Sequence, residues 1–335
     1  MSLGEFELIG RYFSKHDRGE GISLGIGDDC ALLSIPQGME LAITTDTLNE
    51  GIHFFKGSDP YLLGYKTLAV NISDLAAMGA SPCACTLSVT LNEASPEFLE
   101  SFSQGFFDCA KSASIKNHIP LIGGNTTRGD LSFTVSAYGL CKAGQAMRRD
   151  KACVGDGIYV TGTLGLPALA VEIGYGKFKN FKSDFNKLYK ISMMPISRCD
   201  FACALADICR CAIDISDGLC GDLQHILLKS KVGAKLNLSS IPYPDYFKEH
   251  HLDNDAALKL AIAGGGDYEL LFTLPSALEA KMQEIADKTN TPVHKIGEIT
   301  AGNKLIFTDH GNIVSQNFTA FEHFYGSNEY LENSL

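Results

Sequence analysis

The chain has 335 residues, 45% of them apolar and 20% charged. That length suits two domains of about 150 residues each, and the balance is that of a folded globular protein rather than a disordered or fibrous one. Asp and Glu number 39 against 28 Lys and Arg, a net charge of −11, which repels a phosphate backbone and argues against nucleic acid as a partner. Small polyphosphates are a different matter, because divalent metals can neutralise carboxylates around them. No uninterrupted apolar run reaches the ~18 residues of a membrane span. The first residues, Met1-Ser2-Leu3-Gly4-Glu5-Phe6-Glu7, are acidic where a secretion signal is basic. The cysteines number eleven, with no Cys-x-x-Cys pair; they read as small buried thiols in a reducing cytosol, so a cytoplasmic protein without a membrane partner is expected.

In chain order, Glu5 to Phe13 reads as a short helix. Cys30 to Ile35 and Glu40 to Thr45 read as strands, with Pro36-Gln37-Gly38 turning between them. Asp59-Pro60 marks a helix start, an N-cap carboxylate followed by proline, and the helix runs towards Ala80. Pro82 to Leu91 is a strand. Pro96 to Lys116 is helical, with Phe98, Phe102 and Phe106 on one face. Ile119 to Ile122 and Leu131 to Cys141 are strands. The polar cluster Arg148-Arg149-Asp150-Lys151 marks a boundary, giving an N-terminal domain over 1–147 and a C-terminal domain over 148–335. In the second region, strands are expected at Gly157 to Thr161, Cys211 to Ile215, Ala234 to Leu238, Tyr268 to Leu274, Val293 to Ile296 and Lys304 to Thr308. Helices are expected at Pro167 to Ile173, Ser197 to Cys209, Leu219 to Ser230, Asp255 to Ile262 and Leu278 to Thr289. Alternating strands and helices predict two α/β (α+β) domains, the second of them layered.

Aspartates recur at the ends of apolar runs, beside Gly, Ser or Thr. They are Asp28 and Asp29 after Gly27; Asp46, which ends the expected strand; Asp74 in Asn71-Ile72-Ser73-Asp74; Asp214 and Asp217 in Ile213-Asp214-Ile215-Ser216-Asp217-Gly218; and Asp267 after Gly264-Gly265-Gly266. Each alone also reads as a turn or a helix cap. Asp214 alternates with Ile213 and Ile215 in an apolar strand, where a carboxylate needs a partner or a metal. Five or more carboxylates converging at strand ends repel one another without cations. Oxygen donors without His or Cys suit Mg²⁺, which bridges carboxylates to substrate phosphates. The segment Leu121-Ile122-Gly123-Gly124-Asn125-Thr126-Thr127-Arg128 reads as a strand leading into a glycine loop, either an anion cradle or a simple turn. Arg148 and Arg149 read as further cations or as a solvated linker. There is no Gly-x-x-x-x-Gly-Lys-Ser/Thr loop, no complete dinucleotide fingerprint and no Gly-x-Ser-x-Gly elbow.

Six motifs in order resemble the bacterial thiamine-monophosphate kinases, of the aminoimidazole ribonucleotide synthetase superfamily. They are Gly27-Asp28-Asp29-Cys30-Ala31, Thr44-Thr45-Asp46-Thr47, Asn71 to Ala80, Gly123 to Arg128, Ile213 to Gly218 and Gly264-Gly265-Gly266-Asp267-Tyr268-Glu269-Leu270. The resemblance implies an N-terminal α/β domain whose sheet pairs across a homodimer, a C-terminal α/β domain, and ATP-dependent conversion of thiamine monophosphate to thiamine diphosphate. It implies Asp29, Thr44, Thr45, Asp46, Asp74, Asp214 and Asp217 as ligands of several Mg²⁺ ions. Gly124, Asn125, Arg149 and Ser216 are implied as ATP contacts, and His53 and Phe321 as substrate contacts. Two positions depart from the family. Asn125 stands where many relatives have a metal-binding Asp; an amide oxygen still coordinates metal but carries no charge. Gly266 stands where many have a substrate-contacting Glu. The acceptor is a substrate phosphate whose second pKa is about 6, so no strong general base and no covalent nucleophile are expected, and transfer is expected to be direct and in line. Other readings are another ATP-dependent enzyme of the same superfamily, a metal-dependent phosphohydrolase, or a nucleotide-binding regulatory module.

Overall fold

The computed structural model describes residues 5–14, 17–113, 118–315 and 318. Two compact units emerge, Met1–Ala146 with Met193–Cys203, and Met147–Ser192 with Ala204–Leu335.

The first unit begins with α1 (Glu5–Leu8), prolonged by a π-helical turn at Ile9–Phe13, and the short antiparallel pair β1 (Ile22–Leu24) and β2 (Leu32–Leu33). Then come β3 (Met39–Asn49), α2 (Pro60–Ala77), β4 (Ser81–Leu91), α3 (Pro96–Ser112), β5 (Leu121–Arg128) and β6 (Ser132–Lys142). The last four strands form one sheet in the order β3-β6-β4-β5, antiparallel except for the parallel pair β4 and β5.

Local chemistry explains the helices. Asp59 caps α2 by accepting from the Tyr61 N–H at 2.9 Å, with Pro60 already at helical φ. Gly79, at φ +68°, follows its end. Ser95 caps α3 by accepting from the Phe98 N–H. The two helices approach closely through glycine: a Cβ on Gly105 would lie 1.9 Å from the Tyr61 carbonyl oxygen. One sheet face is apolar, with Leu87, Val89, Phe133 and Val135 buried, and Phe133 stacks on Phe102 of α3 at 4.5 Å. The opposite face carries hydroxyl pairs, Thr45 with Ser136 at 2.8 Å and Thr47 with Thr134 at 2.9 Å.

The second unit contains β7 (Gly157–Thr161), α4 (Leu166–Gly174), α5 (Phe185–Met193), α6 (Cys199–Leu205), β8 (Cys211–Asp214), α7 (Leu219–Ser230), β9 (Gly233–Asn237), α8 (Asp245–Glu249) and α9 (Asn254–Ala263). It ends with β10 (Leu270–Leu274), α10 (Glu279–Lys288), β11 (Val293–Thr300), β12 (Leu305–Asp309) and β13 (Asn312–Val314). Of these, Met193 at the end of α5 and Cys199–Cys203, most of α6, belong to the first unit. One seven-stranded sheet runs β13-β12-β9-β11-β7-β10-β8, with only β12 and β9 parallel. Both units are mixed α/β, as the alternation of elements predicts.

Several boundaries differ from the sequence expectation. The strand expected to end near Asp46 runs on to Asn49, because pairing with β6 continues from Asp46↔Val135 to Asn49↔Ser132. The glycine segment after Ile122 is a strand and not a loop: Gly123 to Arg128 pair with Thr86 to Leu91. Glycine fits there because a Cβ on Gly124 would lie 1.9 Å from the Leu87 carbonyl oxygen. Tyr268 and Glu269, expected in a strand, precede β10, and β1, α5, α8 and β13 have no counterpart in the sequence expectation. Among the described residues no helix is long and apolar enough to cross a membrane, and none of the eleven cysteines is in a disulfide.

Candidate active site

In the first unit, strand alternation sorts the Thr44-Thr45-Asp46 motif onto two faces. The Thr44 hydroxyl donates to the Asp74 carboxylate on the last turn of α2. Asp46, two residues on, lies on that same face, and both aspartates are half-buried. Thr45 points the other way and its hydroxyl pairs with Ser136. Asp28 and Asp29 are exposed, and the Asp28 carboxylate accepts from the Asp29 N–H at 2.8 Å. His53 Nδ1 accepts from the Asn49 N–H at 3.0 Å, which leaves Nε2 to carry the proton of the neutral ring. Gly124 and Asn125 are exposed on β5, an edge strand.

In the second unit, Asp214 ends β8, is 3% exposed and pairs with Leu270. Beyond it the ladder continues into two motifs far apart in sequence. The Ile215 N–H donates to the Glu269 carbonyl, the Tyr268 N–H to the Ile215 carbonyl, and the Gly266 N–H to the Ser216 carbonyl, each at 2.8 Å. The motifs lie so close that a Cβ on Gly265 would be 2.4 Å from the Ser216 carbonyl oxygen. Gly266 has φ +88°, where an L-residue is strained and glycine is not.

Asp222, on the first turn of α7, is a site residue that the sequence motifs do not mark. Its carboxylate accepts from the Ser216 N–H at 3.1 Å and the Asp217 N–H at 3.2 Å. Burial, reinforced by the Asp217 charge, pushes its pKa up to about 7, against the pull of those two N–H groups and of Arg149. Of the two junction arginines, Arg148 makes a two-pronged contact with Asp150 at 2.9 and 2.8 Å. The Arg149 charge acts instead on Asp222 and His225. Asp267 is buried, and its Oδ1 accepts from the Gly165 N–H at 2.9 Å. Burial raises its carboxyl well above the usual range. Glu269 accepts from the Thr161 hydroxyl at 2.5 Å.

The expected convergence of five or more carboxylates is not formed in either unit taken alone. Among the described residues no group of three or more His, Cys, Asp or Glu is arranged to hold a metal. Asp46 and Asp74 share a face in the first unit, while in the second Asp217 lies beside Asp222 and Asp214 ends β8. Phe321 lies outside the described residues. Sequence did carry one signal for Asp222, an acidic residue in the first turn of a helix, but that pattern usually reads as a response to the helix dipole.

Two family models match in tandem, AIR synthase related protein, N-terminal domain, over residues 27–141, and its C-terminal domain over 154–310. Together with the two mixed α/β units, they define an AIR synthase related protein. A thiamine-monophosphate kinase of Escherichia coli K12 is 42% identical over 327 residues, 97% of this chain and 99% of its own. The crystal structure of a thiamine-monophosphate kinase from Stenotrophomonas maltophilia K279a superposes with a TM-score of 0.81 at 40% identity, covering 94% of this chain and 99% of that one. AaThiL complexed with AMPPCP and TMP superposes with a TM-score of 0.72 at 26% identity, over 87% and 89% of the two chains. The chain belongs to the thiamine-monophosphate kinase family, and so to the phosphate-transferring enzymes.

Proposed function

We propose that the protein transfers the γ-phosphoryl group of ATP to the phosphate of thiamine monophosphate, giving ADP and thiamine diphosphate. The observation that carries this reading is near full-length similarity to thiamine-monophosphate kinases, one related structure being a complex with AMPPCP and TMP. Chemistry of the side chains supports it. Carboxylates and hydroxyls without imidazole or thiolate fit Mg²⁺. Asp29, Thr44, Asp46 and Asp74 would hold such ions from the first unit, and Asp214 and Asp217 from the second. Thr45, whose side chain faces Ser136, is left its main chain for this task. Asn125 offers an uncharged amide oxygen. When bound, Mg²⁺ offsets the repulsion between the two phosphate anions.

The chain's own residues then bind and orient. Thr44 holds the Asp74 carboxylate against the sheet. Gly124 and Asn125 in the first unit, and Arg149 and Ser216 in the second, are the proposed nucleotide contacts. His53, Phe321 and the main chain at Gly266 are the proposed contacts to thiamine monophosphate. The attacking oxygen is already ionised at neutral pH, so positioning replaces a general base and transfer is direct and in line, without a phosphoenzyme. The protein acts as a cytoplasmic homodimer in this reading. Incubation with ATP, Mg²⁺ and thiamine monophosphate tests it: thiamine diphosphate and ADP are expected in equal amounts. ADP with free phosphate and no thiamine diphosphate would point to a phosphohydrolase instead.

A further inference from the structure

Helix α7 is tied at both ends to residues proposed above as nucleotide contacts. At its first turn Asp222, 3% exposed, takes the N–H groups of both Ser216 and Asp217 on one carboxylate oxygen. The Ser216 carbonyl is taken in turn by the Gly266 N–H, so the Ser216 residue is fixed on both sides while its side chain stays half-exposed. At the last residue of α7, the Ser230 hydroxyl donates to the Arg149 carbonyl at 2.8 Å and accepts from the Ala152 N–H at 3.0 Å. Between these clamps Leu219, Leu223 and Ile226 are fully buried, so the helix cannot shift without disturbing the core. Asp222 and Ser230 are eight residues apart, a rise of about 12 Å along the axis.

We propose that α7 is the positioning element of nucleotide binding, with Asp222 and Ser230 as positioning residues that set the placement of Ser216–Asp217 and of Arg149. The assignment rests on the kinase reading. Neither residue touches nucleotide; each acts through the main chain it holds. The carboxylate at 222 suits this role because one acceptor oxygen serves two consecutive amides.

The test uses the full-length variants Asp222→Ala and Ser230→Ala, with AMPPCP and Mg²⁺ as the probe by calorimetry. Each variant is expected to raise the AMPPCP Kd by about tenfold or more, in the range seen when supporting residues of a ligand shell are lost; Ser230→Ala should leave the KM for thiamine monophosphate unchanged, and Asp222→Ala should change it far less than the AMPPCP Kd, since Gly266 is bonded to Ser216. Amide hydrogen exchange should quicken at Ser216 and Asp217 in the first variant and at Ala152 in the second. Asp222→Asn, which retains an acceptor oxygen, should recover most of the affinity. A merely structural role would lower the unfolding temperature and move both substrates' constants together. A folded variant with faster exchange at its clamp and wild-type AMPPCP affinity would overturn the assignment; should Asp222→Ala not fold, Ser230→Ala decides. Wild-type protein that binds no AMPPCP would overturn the kinase reading itself, and this assignment with it.

Discussion

Thr44 on β3 donates its hydroxyl hydrogen bond to Asp74 on α2, so a strand and a helix share a polar contact on the helix-covered face of the first sheet. A carboxylate placed there has its direction fixed before any ligand arrives. Asp46 shares that face, whereas Thr45 is bonded to Ser136 on the other.

This geometry makes Thr44→Val an informative substitution, since it keeps the shape and removes the donor. It should weaken Mg²⁺ by about tenfold to a hundredfold, as loss of a residue that orients a metal ligand commonly does. Asp46→Asn and Asp74→Asn should cost at least as much. Magnesium titrations of the initial rate at saturating ATP check this, with nucleotide-bound metal counted separately. Near-normal rates in both aspartate variants at limiting Mg²⁺ would remove these residues from the metal site.

The open face of the same sheet bears Ile43, 62% exposed, beside the hydroxyl pairs of Thr45 and Thr47. An apolar side chain on an uncovered sheet face fits a second copy of the chain. Light scattering at micromolar concentration should give a dimer, and Ile43→Lys should shift it towards monomer. A wild-type monomer under those conditions contradicts the expectation.

Gly265 tests the contact between the two motifs of the second unit. A Cβ there would lie 2.4 Å from the Ser216 carbonyl oxygen, so Gly265→Ala must push the motifs apart. Overpacking of this kind costs about 1–3 kcal/mol, to be read from denaturant unfolding. Weaker ATP binding should accompany it, because Ser216 moves.

Thiol chemistry offers an independent check on burial. Cys30 and Cys153 are exposed. Burial pushes the Cys83 and Cys211 thiols up to about 11 and that of Cys220 up to about 12. The thiolate is the reactive form, so at pH 8 an aromatic disulfide reagent should modify Cys30 and Cys153 first. Serine at each of these positions should remove one fast equivalent. ATP with Mg²⁺ should slow Cys30, next to Asp29, and leave Cys153 unaffected; equal protection of both would argue against metal at Asp29.

The sequence alone determined what depends on neighbours along the chain. Asp59-Pro60 starts α2, Phe98, Phe102 and Phe106 share a face of α3, and the alternation of elements predicts two mixed α/β units. The six ordered motifs mark the family in the sequence itself. Tertiary structure decided what depends on register and on partners remote in the chain. Gly123 and Gly124 read as a loop because glycine disfavours strands in isolation; pairing with β4, and the nearness of the Leu87 carbonyl, made them one. Asp46 looked like a strand end until β6 extended the ladder past it. Thr44 and Thr45 are equivalent in composition and opposite in direction, and only the sheet says which one meets Asp74. The Ser216 and Gly266 motifs are joined by backbone hydrogen bonds across fifty residues of sequence, and Asp222 finds its two amides only once α7 has packed into the core. Hydrogen bonds of that span have no local signature, because their partners are chosen by the fold and not by the spacing of residues.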